Sequence, residues 1–590
     1  LRNRYDIRLE YFTLPISTKR YTKVHKTFHY QPTVRDIIRR LTSIVTNCPV
    51  QQHSSISFAP TSGAITVFRT MMIGSSSTVT AAAVAVVICT FLTLPAQSAR
   101  ILCVFPSPSR SHVLVGQALL KGLAERGHEV TMVSPFKLAK PVANYREVII
   151  PVDDYTSKMT KEFLEKPPNI LKTLPVMMIK MMETAKQMVN DPKFVALKSE
   201  QFDVVINGVF VADFILGYGA HFHAPTVVLW TAGLTKITAD LVGNPRAVSA
   251  VPHIMLGPQD SMVPVVARLK NFMVSCIENL VGLYSWYHQK AFYEEAFPQD
   301  RYPSYDAVRK NVSLVLLNTH FSHAGPRPYL QNVVEVGGLQ IKTKPDPLPQ
   351  DIQEWLDGSE HGAIYFCLGS NLKSKDLPAA KLQEFVKSLG KLKQRVLMKW
   401  EADTIPNQPA NVMTKKWLPQ DDILAHPNVV LFISHGGLGG MAEARYHGVP
   451  ILGIPIFAEQ SGNVGSVVRE GWGLEVDYTT LTEKRLSKKL KQILTDPAYR
   501  ARAKEVSVVY RDRPQSAMDT ACYWVEYVIR HKGAPQMHYQ GAELNFFQNE
   551  MLDVIAIIFL ALYLVVKVLK LTFKGIARLL CRRQTKQKIN

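Results

Sequence analysis

Paired cysteines are missing from this sequence. Its seven cysteines, at 48, 89, 103, 276, 367, 522 and 581, include no CxxC pair. That excludes a zinc ribbon and a dense disulfide framework, and leaves Cys276 with Cys522 as the one pairing worth testing. A basic face is missing too. The net charge is +21, but residues 1–70 hold 11 Lys/Arg against 3 Asp/Glu, and residues 567–590 hold 8 basic residues and no acidic one. The body between them is nearly neutral and shows no basic stripe, so a nucleic-acid partner is not expected. Nor is the composition that of a disordered chain. Hydrophobic residues make up 47% of 590, enough for a large core spread over two or three domains.

Long apolar runs are rare, and the two present lie towards the ends. Ala81–Leu94, "AAAVAVVICTFLTL", is followed by Pro95 and the small residues "AQSA". It is short for a spanning helix and has the form of a secretory h-region with cleavage near Ser98 or Ala99. Residues 71–99 are therefore expected to be a signal peptide. Residues 1–70 show no periodicity and are expected to be an upstream extension, not a domain. Met551–Phe573, "MLDVIAIIFLALYLVVKVLKLTF", is long enough to cross a bilayer. The basic residues of 574–590 place that tail on the cytoplasmic side. The expectation is a single-pass type I protein with a lumenal body. Lys586 and Lys588 resemble a dilysine signal for the endoplasmic reticulum, and Asn311-Val312-Ser313 is a glycosylation acceptor triplet.

The body reads as two α/β halves. In the first, about 100–340, "ILCVF" (101–105) predicts a strand. The loop "PSPSRSH" follows, then a helix ended by Gly127, then the strand "EVTMVS" (129–134). "FDVVING" (202–208) and "TVVLW" (226–230) predict further strands. The Pro-rich stretch 342–350 reads as a linker. In the second half, about 350–535, strands are predicted at 363–370, 395–400, 429–434 and 450–455, with helices near 379–390 and over 484–532, broken by Pro497 and Pro514. Strand and helix alternate as in doubly wound parallel sheets.

Chemistry concentrates in "FISHGGLGGMAEARYHGVPILGIPIFAEQ" (432–460). A strand ends at His435. Gly436, Gly437, Gly439 and Gly440 then leave amide groups open where a helix begins, an arrangement suited to phosphate. Glu443 stands one turn deeper, where a carboxylate can hold ribose hydroxyls. Glu459 and Gln460 follow a strand end and can bind sugar hydroxyls.

The order Phe-Ile-Ser-His435-Gly-Gly437, Gly440, Glu443, Pro450, Pro455, Glu459-Gln460 resembles the signature of the UDP-glycosyltransferases. Similarity extends from about Ile101 to the tail, including "GAIYFCLGSNLKSKDLP" and "VEYVIRHKGAP", and is greatest to the membrane-anchored animal enzymes, especially the insect branch. The resemblance implies a GT-B-like α/β fold: two facing Rossmann-like domains plus a C-terminal transmembrane helix. It implies a UDP-sugar donor, UDP-glucose first among them, and a small lipophilic hydroxyl acceptor. A homo-oligomer stays open. No DxD occurs, so no essential metal is expected. Trp417 of "WLPQ" matches the residue that stacks on uracil, and Gln420 the one that binds its edge. His435 matches a diphosphate contact, Ser370 of "LGS" a loop residue near the phosphates, Glu443 the ribose ligand, and Glu459-Gln460 the pair that holds the transferred sugar. Gly439 and Gly440 replace bulkier residues common there, leaving backbone amides to serve the phosphate.

His112 matches the family's general base, which would take a proton from the acceptor as it displaces UDP with inversion. The acidic partner expected after the "FDVV" strand is Gly208 here. Asn207 and Asp213 are the two candidate substitutes. The alternative to an active enzyme is a catalytically weak or inactive UDP-sugar-binding homologue. The apolar stretch 176–182 either lines the acceptor side, packs as helix core or contacts the membrane.

Overall fold

The computed structural model describes residues 98–166, 170–208, 211–256, 261–457 and 459–587. Residues 1–70 and nearly all of the expected signal segment lie outside these. The first sheet is built from β1 (Arg100–Val104), β2 (Glu129–Ser134), β3 (Tyr145–Ile149), β4 (Val204–Asn207), β5 (Thr226–Trp230), β6 (Val312–Leu317) and β7 (Val333–Glu335). Their spatial order is β3-β2-β1-β4-β5-β6-β7, and every pairing is parallel. The second sheet holds β8 (Ala363–Cys367), β9 (Arg395–Lys399), β10 (Val412–Lys415), β11 (Val429–Ser434), β12 (Ile451–Gly453) and β13 (Gly473–Glu475), in the order β10-β9-β8-β11-β12-β13 and also parallel.

The predicted strands fall where the apolar runs are, because central strands of a parallel sheet are buried on both faces and read as unbroken hydrophobic stretches. β5 and β8 are buried throughout. Strand order reverses between β1 and β4 in one sheet and between β8 and β11 in the other. Ligands bind at such switch points, outside the carboxyl ends of the strands. The loop carrying His112 follows β1, Ser370 follows β8 and His435 follows β11.

Pro497 does not end a helix so much as begin one. It stands at the first position of Pro497–Arg511, where its missing N–H costs nothing. The helix Ala517–Arg530 returns to the first half. Its Ala521, Cys522, Val525 and Val528 join the core formed by β1, β4, β5 and the helix Arg110–Glu125. The halves also meet through the helix Tyr155–Glu165, whose Leu164 lies in the core of the second sheet and accepts a hydrogen bond from Tyr478 at 3.0 Å.

Three details follow from the packing. Cys276 and Cys522 are both free thiols: one lies on the long helix Val265–Ala296, the other is buried in Ala517–Arg530. The apolar stretch 176–182 belongs to the helix Ile170–Asn190 and packs as core, with Met178, Met181 and Met182 buried and Val176 turned outward. The C-terminal helix runs from Leu552 to Gln587, past Phe573 and through most of the basic tail, since nothing in 574–587 breaks a helix. Its apolar part, Leu552–Cys581, is long and apolar enough to cross a membrane.

Candidate active site

The glycines do specific geometric work around His435. Gly436 sits at φ +84°, a conformation that side chains with a Cβ rarely adopt. A Cβ at Gly369 would approach the His435 ring to 2.6 Å, and one at Gly437 to 2.5 Å. The imidazole is therefore held between two backbone segments that must both be bare. Its Nδ1 is buried with no hydrogen-bond partner, and so is the Oγ of neighbouring Ser370. Two orphan polar atoms side by side mark a place where a polar ligand belongs. Burial, with Lys399 nearby, lowers the His435 pKa to about 4. The ring is neutral at pH 7 and offers a hydrogen bond, not a charge.

The charge comes from a residue the sequence reading missed. Lys399, at the end of β9, donates to the Gly369 carbonyl at 2.7 Å and to Glu401 at 2.9 Å, and its ammonium stands 5.6 Å from the Trp417 ring. It is 6% exposed. It is the cation set beside the His435–Ser370 pair. The helix Leu438–His447 starts after Gly437 and points its first amides the same way.

Gln420 and Glu443, far apart in sequence, are brought together. Gln420 Nε2 donates to Glu443 Oε2 at 2.5 Å, while the Tyr365 hydroxyl donates to Gln420 Oε1 at 3.2 Å. Gly440 is what lets them meet, since a Cβ there would lie 3.1 Å from Gln420 Nε2. Gln340, from the segment entering the linker, donates to the other Glu443 oxygen at 3.4 Å and to the Gly439 carbonyl at 3.4 Å. Burial raises the Glu443 pKa to about 8, helped by Asp421. Trp417 is 47% exposed, as a stacking platform must be. Glu459 is half-buried, and desolvation raises its pKa. The Gln460 carbonyl oxygen accepts from the amides of Ile456 and Phe457 at 2.9 and 3.1 Å, so this side chain also shapes its own turn.

In the first half, His112 lies in the first turn of the helix Arg110–Glu125, and its Nδ1 hydrogen-bonds the Thr231 hydroxyl. Thr231 directly follows β5 and was not foreseen; a hydroxyl at a strand's carboxyl end, in "LWTAG", is the only signal that could have found it. Burial lowers the His112 pKa to about 4, leaving the ring neutral. Two residues earlier, Arg110 lays its guanidinium over the Trp417 ring at 4.2 Å. The loop bearing His112 is thus in contact with the second half at Trp417.

Neither candidate partner reaches His112. Asp213 is buried and accepts from the Tyr305 hydroxyl at 2.6 Å and from Arg309 Nε at 2.8 Å. Both its oxygens serve a structural ion pair behind the sheet, which corrects its assignment as a catalytic residue. Asn207 is fully buried at the end of β4, with neither amide atom bonded. The Phe105 ring packs against Gly208 so closely that any Cβ at 208 would overlap it, and a Cβ at Gly116 would come within 2.7 Å of the same ring. A phenyl ring fills the space where a carboxylate at 208 would stand.

Two α/β halves, each with a parallel sheet and its polar residues gathered at a switch point, have the GT-B glycosyltransferase fold. The fold is shared with a solved enzyme, the glycotransferase of kitacinnamycin, at TM-score 0.50 and 18% identity, over 73% of this chain and 100% of that one. The chain belongs to the family described as UDP-glucoronosyl and UDP-glucosyl transferase, whose model matches residues 100–589. It is 36% identical to UDP-glucosyltransferase 2 of Dactylopius coccus, over 78% of this chain and 89% of that protein. It is 31% identical to 2-hydroxyacylsphingosine 1-beta-galactosyltransferase of Rattus norvegicus, over 84% and 92% respectively.

Proposed function

We propose that this protein transfers a sugar, glucose first among the candidates, from a UDP-sugar to a hydroxyl of a small lipophilic acceptor, inverting the anomeric centre. The observation that supports this most is the contact of Arg110 with Trp417, because it sets the loop of a neutral histidine against the proposed uracil platform. In this reading Trp417 stacks on the uracil, and Gln420 and Glu443 hold uracil edge and ribose. Ser370, His435, Lys399 and the amides at Gly439 and Gly440 take the diphosphate. Glu459 and Gln460 take the sugar.

His112 Nε2 removes the acceptor's proton as its oxygen forms the new bond to the anomeric carbon. The bond from that carbon to the β-phosphate oxygen breaks, and UDP leaves with the electron pair. A low pKa suits the resting base, which must be unprotonated, although it weakens the driving force for proton uptake. Thr231 holds the ring at Nδ1, so Nε2 is the nitrogen assigned to the acceptor's proton in this reading. Charge building on UDP meets preorganised donors instead of water.

The body lies in the lumen of the endoplasmic reticulum in this reading, held by Leu552–Cys581, with Asn311 exposed for glycosylation. A detoxifying role fits an open choice of acceptors. The second reading, a weakly active UDP-sugar binder, has the packing of Phe105 on Gly208 in its favour.

The test is purified full-length protein with UDP-glucose, UDP-galactose and UDP-glucuronic acid against a panel of phenols and aliphatic alcohols, with His112→Ala as control. A β-glycoside from the wild type and none from the variant supports transfer. UDP binding with no product from any pair supports the second reading.

A further inference from the structure

The helix Val265–Ala296 is turned inside out. Its buried positions include Asn271, Ser275, Ser285 and Gln289, all polar. Asn271 bonds three backbone groups of the segment 248–253, and Gln289 bonds Phe214 and Val211. The outward stripe is apolar: Leu269, Phe272, Ile277, Leu280, Leu283 and Tyr287, with Leu280 and Tyr287 each 68% exposed. At about 100° per residue, the two sets lie on opposite faces. From Leu269 to Tyr287 the stripe is about 27 Å long. A soluble protein does not ordinarily leave so continuous an apolar surface to water.

Three features point to what covers it. The chain carries its own candidate membrane anchor, Leu552–Cys581. The turn Gln540–Glu543, shortly before that anchor, packs on the helix Lys236–Val242, which in turn packs on Val265–Ala296, and Lys310 fixes it through Glu543 at 3.2 Å. Eight residues lie between Glu543 and Leu552, a reach of at most about 30 Å, so the anchor starts near this helix. The outward face also suits a lipid surface in charge. Glu278 is the single acid between 265 and 290, and it is bonded inward to Arg246 and to the amide of Lys236, while Lys270 is exposed.

We propose that the outward face of Val265–Ala296 lies in the membrane interface, parallel to the bilayer plane, and that the acceptor half is held on the lipid by two contacts, this helix and the anchor. The inference rests on the anchor inserting as read above. It goes beyond that reading by assigning the membrane a second contact.

The test uses full-length protein reconstituted in phosphatidylcholine–phosphatidylserine vesicles, with reactive native cysteines replaced by serine. A fluorescent label is placed through Leu280→Cys, through Leu560→Cys on the anchor, or through Val508→Cys, an equally exposed apolar site on the second half. Bromine on the lipid acyl chains should extinguish most of the fluorescence at 280 and 560 and leave 508 unchanged. Emission at 280 unaffected by bromine while 560 is quenched would overturn the proposal and leave the anchor standing. Quenching at 508 equal to that at 280 would also overturn it. Energy transfer between labelled copies at 280, without lipid quenching, would assign the face to a second copy and overturn it as well. Loss at 280 with none at 560 would refute the anchor, and with it the two-contact arrangement proposed here.

Discussion

The two halves of the molecule solve the same problem with different margins. In the second half, Gln420, Glu443, His435 and Ser370 converge around glycines that leave room for named neighbours. In the first half, His112 is held by Thr231, which follows β5, and Phe105 packs on Gly208.

The sharpest way to break this contrast is His112→Ala. Loss of a general base should lower kcat by about 10²- to 10⁴-fold while UDP affinity, measured by calorimetry, stays unchanged. If both fell together, the two halves would not divide labour as described. Trp417→Ala is the mirror test. Losing a stacked base costs about 1–3 kcal/mol, so UDP should bind about 5- to 150-fold more weakly, with the rate at saturating donor less affected.

The Phe105–Gly208 exchange comes next. Gly208→Asp alone should lower stability by about 1–3 kcal/mol, because it overpacks the Phe105 ring, visible as a lower denaturation midpoint. Gly208→Asp with Phe105→Ala should raise kcat if a carboxylate improves the base, at a further cost in stability from the cavity the phenyl ring leaves. No gain from a folded double variant would mean that Thr231 already suffices. Thr231→Val should cost about fivefold in kcat with little change in KM, as expected for the loss of one hydrogen bond of about 1 kcal/mol, and Thr231→Ser should restore it.

pH gives the smallest but most diagnostic differences. His112 has a folded pKa of about 4, lowered from 6.5 by burial. The acid limb of kcat/KM should therefore fall near pH 4, not 6.5. Because folding favours the neutral ring, stability from this group is present above 6.5 and is lost as pH drops towards 4. Glu443 runs the other way. Its folded pKa of about 8 means the protonated form is favoured by folding, and its contribution declines as pH rises above the ordinary carboxyl value, reaching its full cost above 8. If ribose hydroxyls donate to an ionised Glu443, UDP binding at pH 7 should release a proton. Calorimetry in buffers of different ionisation enthalpy would detect it, and Glu443→Gln should abolish it.

Much of this was legible before any coordinates. β2, β5 and β11 lie where apolar runs put them, since a buried parallel strand has no choice but to be hydrophobic on both faces. Gly437, Gly439, Gly440 and Glu443 could be picked out because strand, turn and helix start are adjacent in sequence. Other residues were invisible for a definite reason. Thr231 stands 119 residues from His112, and Gln340 stands 103 from Glu443. Asp213 looked available because an acid near the right strand is all that sequence can register. Only packing revealed that Tyr305 and Arg309 had claimed both its oxygens.

The sequence by itself determined the two parallel sheets, the glycine-lined donor loop and the apolar C-terminal helix, because each depends on neighbours within a few residues of one another. Tertiary structure alone decided which partner the histidine has, which acid is spent on the core, and which face of the long helix meets water or lipid. Those outcomes depend on which side chain reaches a shared volume first, and such competition is settled between residues that are distant in the chain.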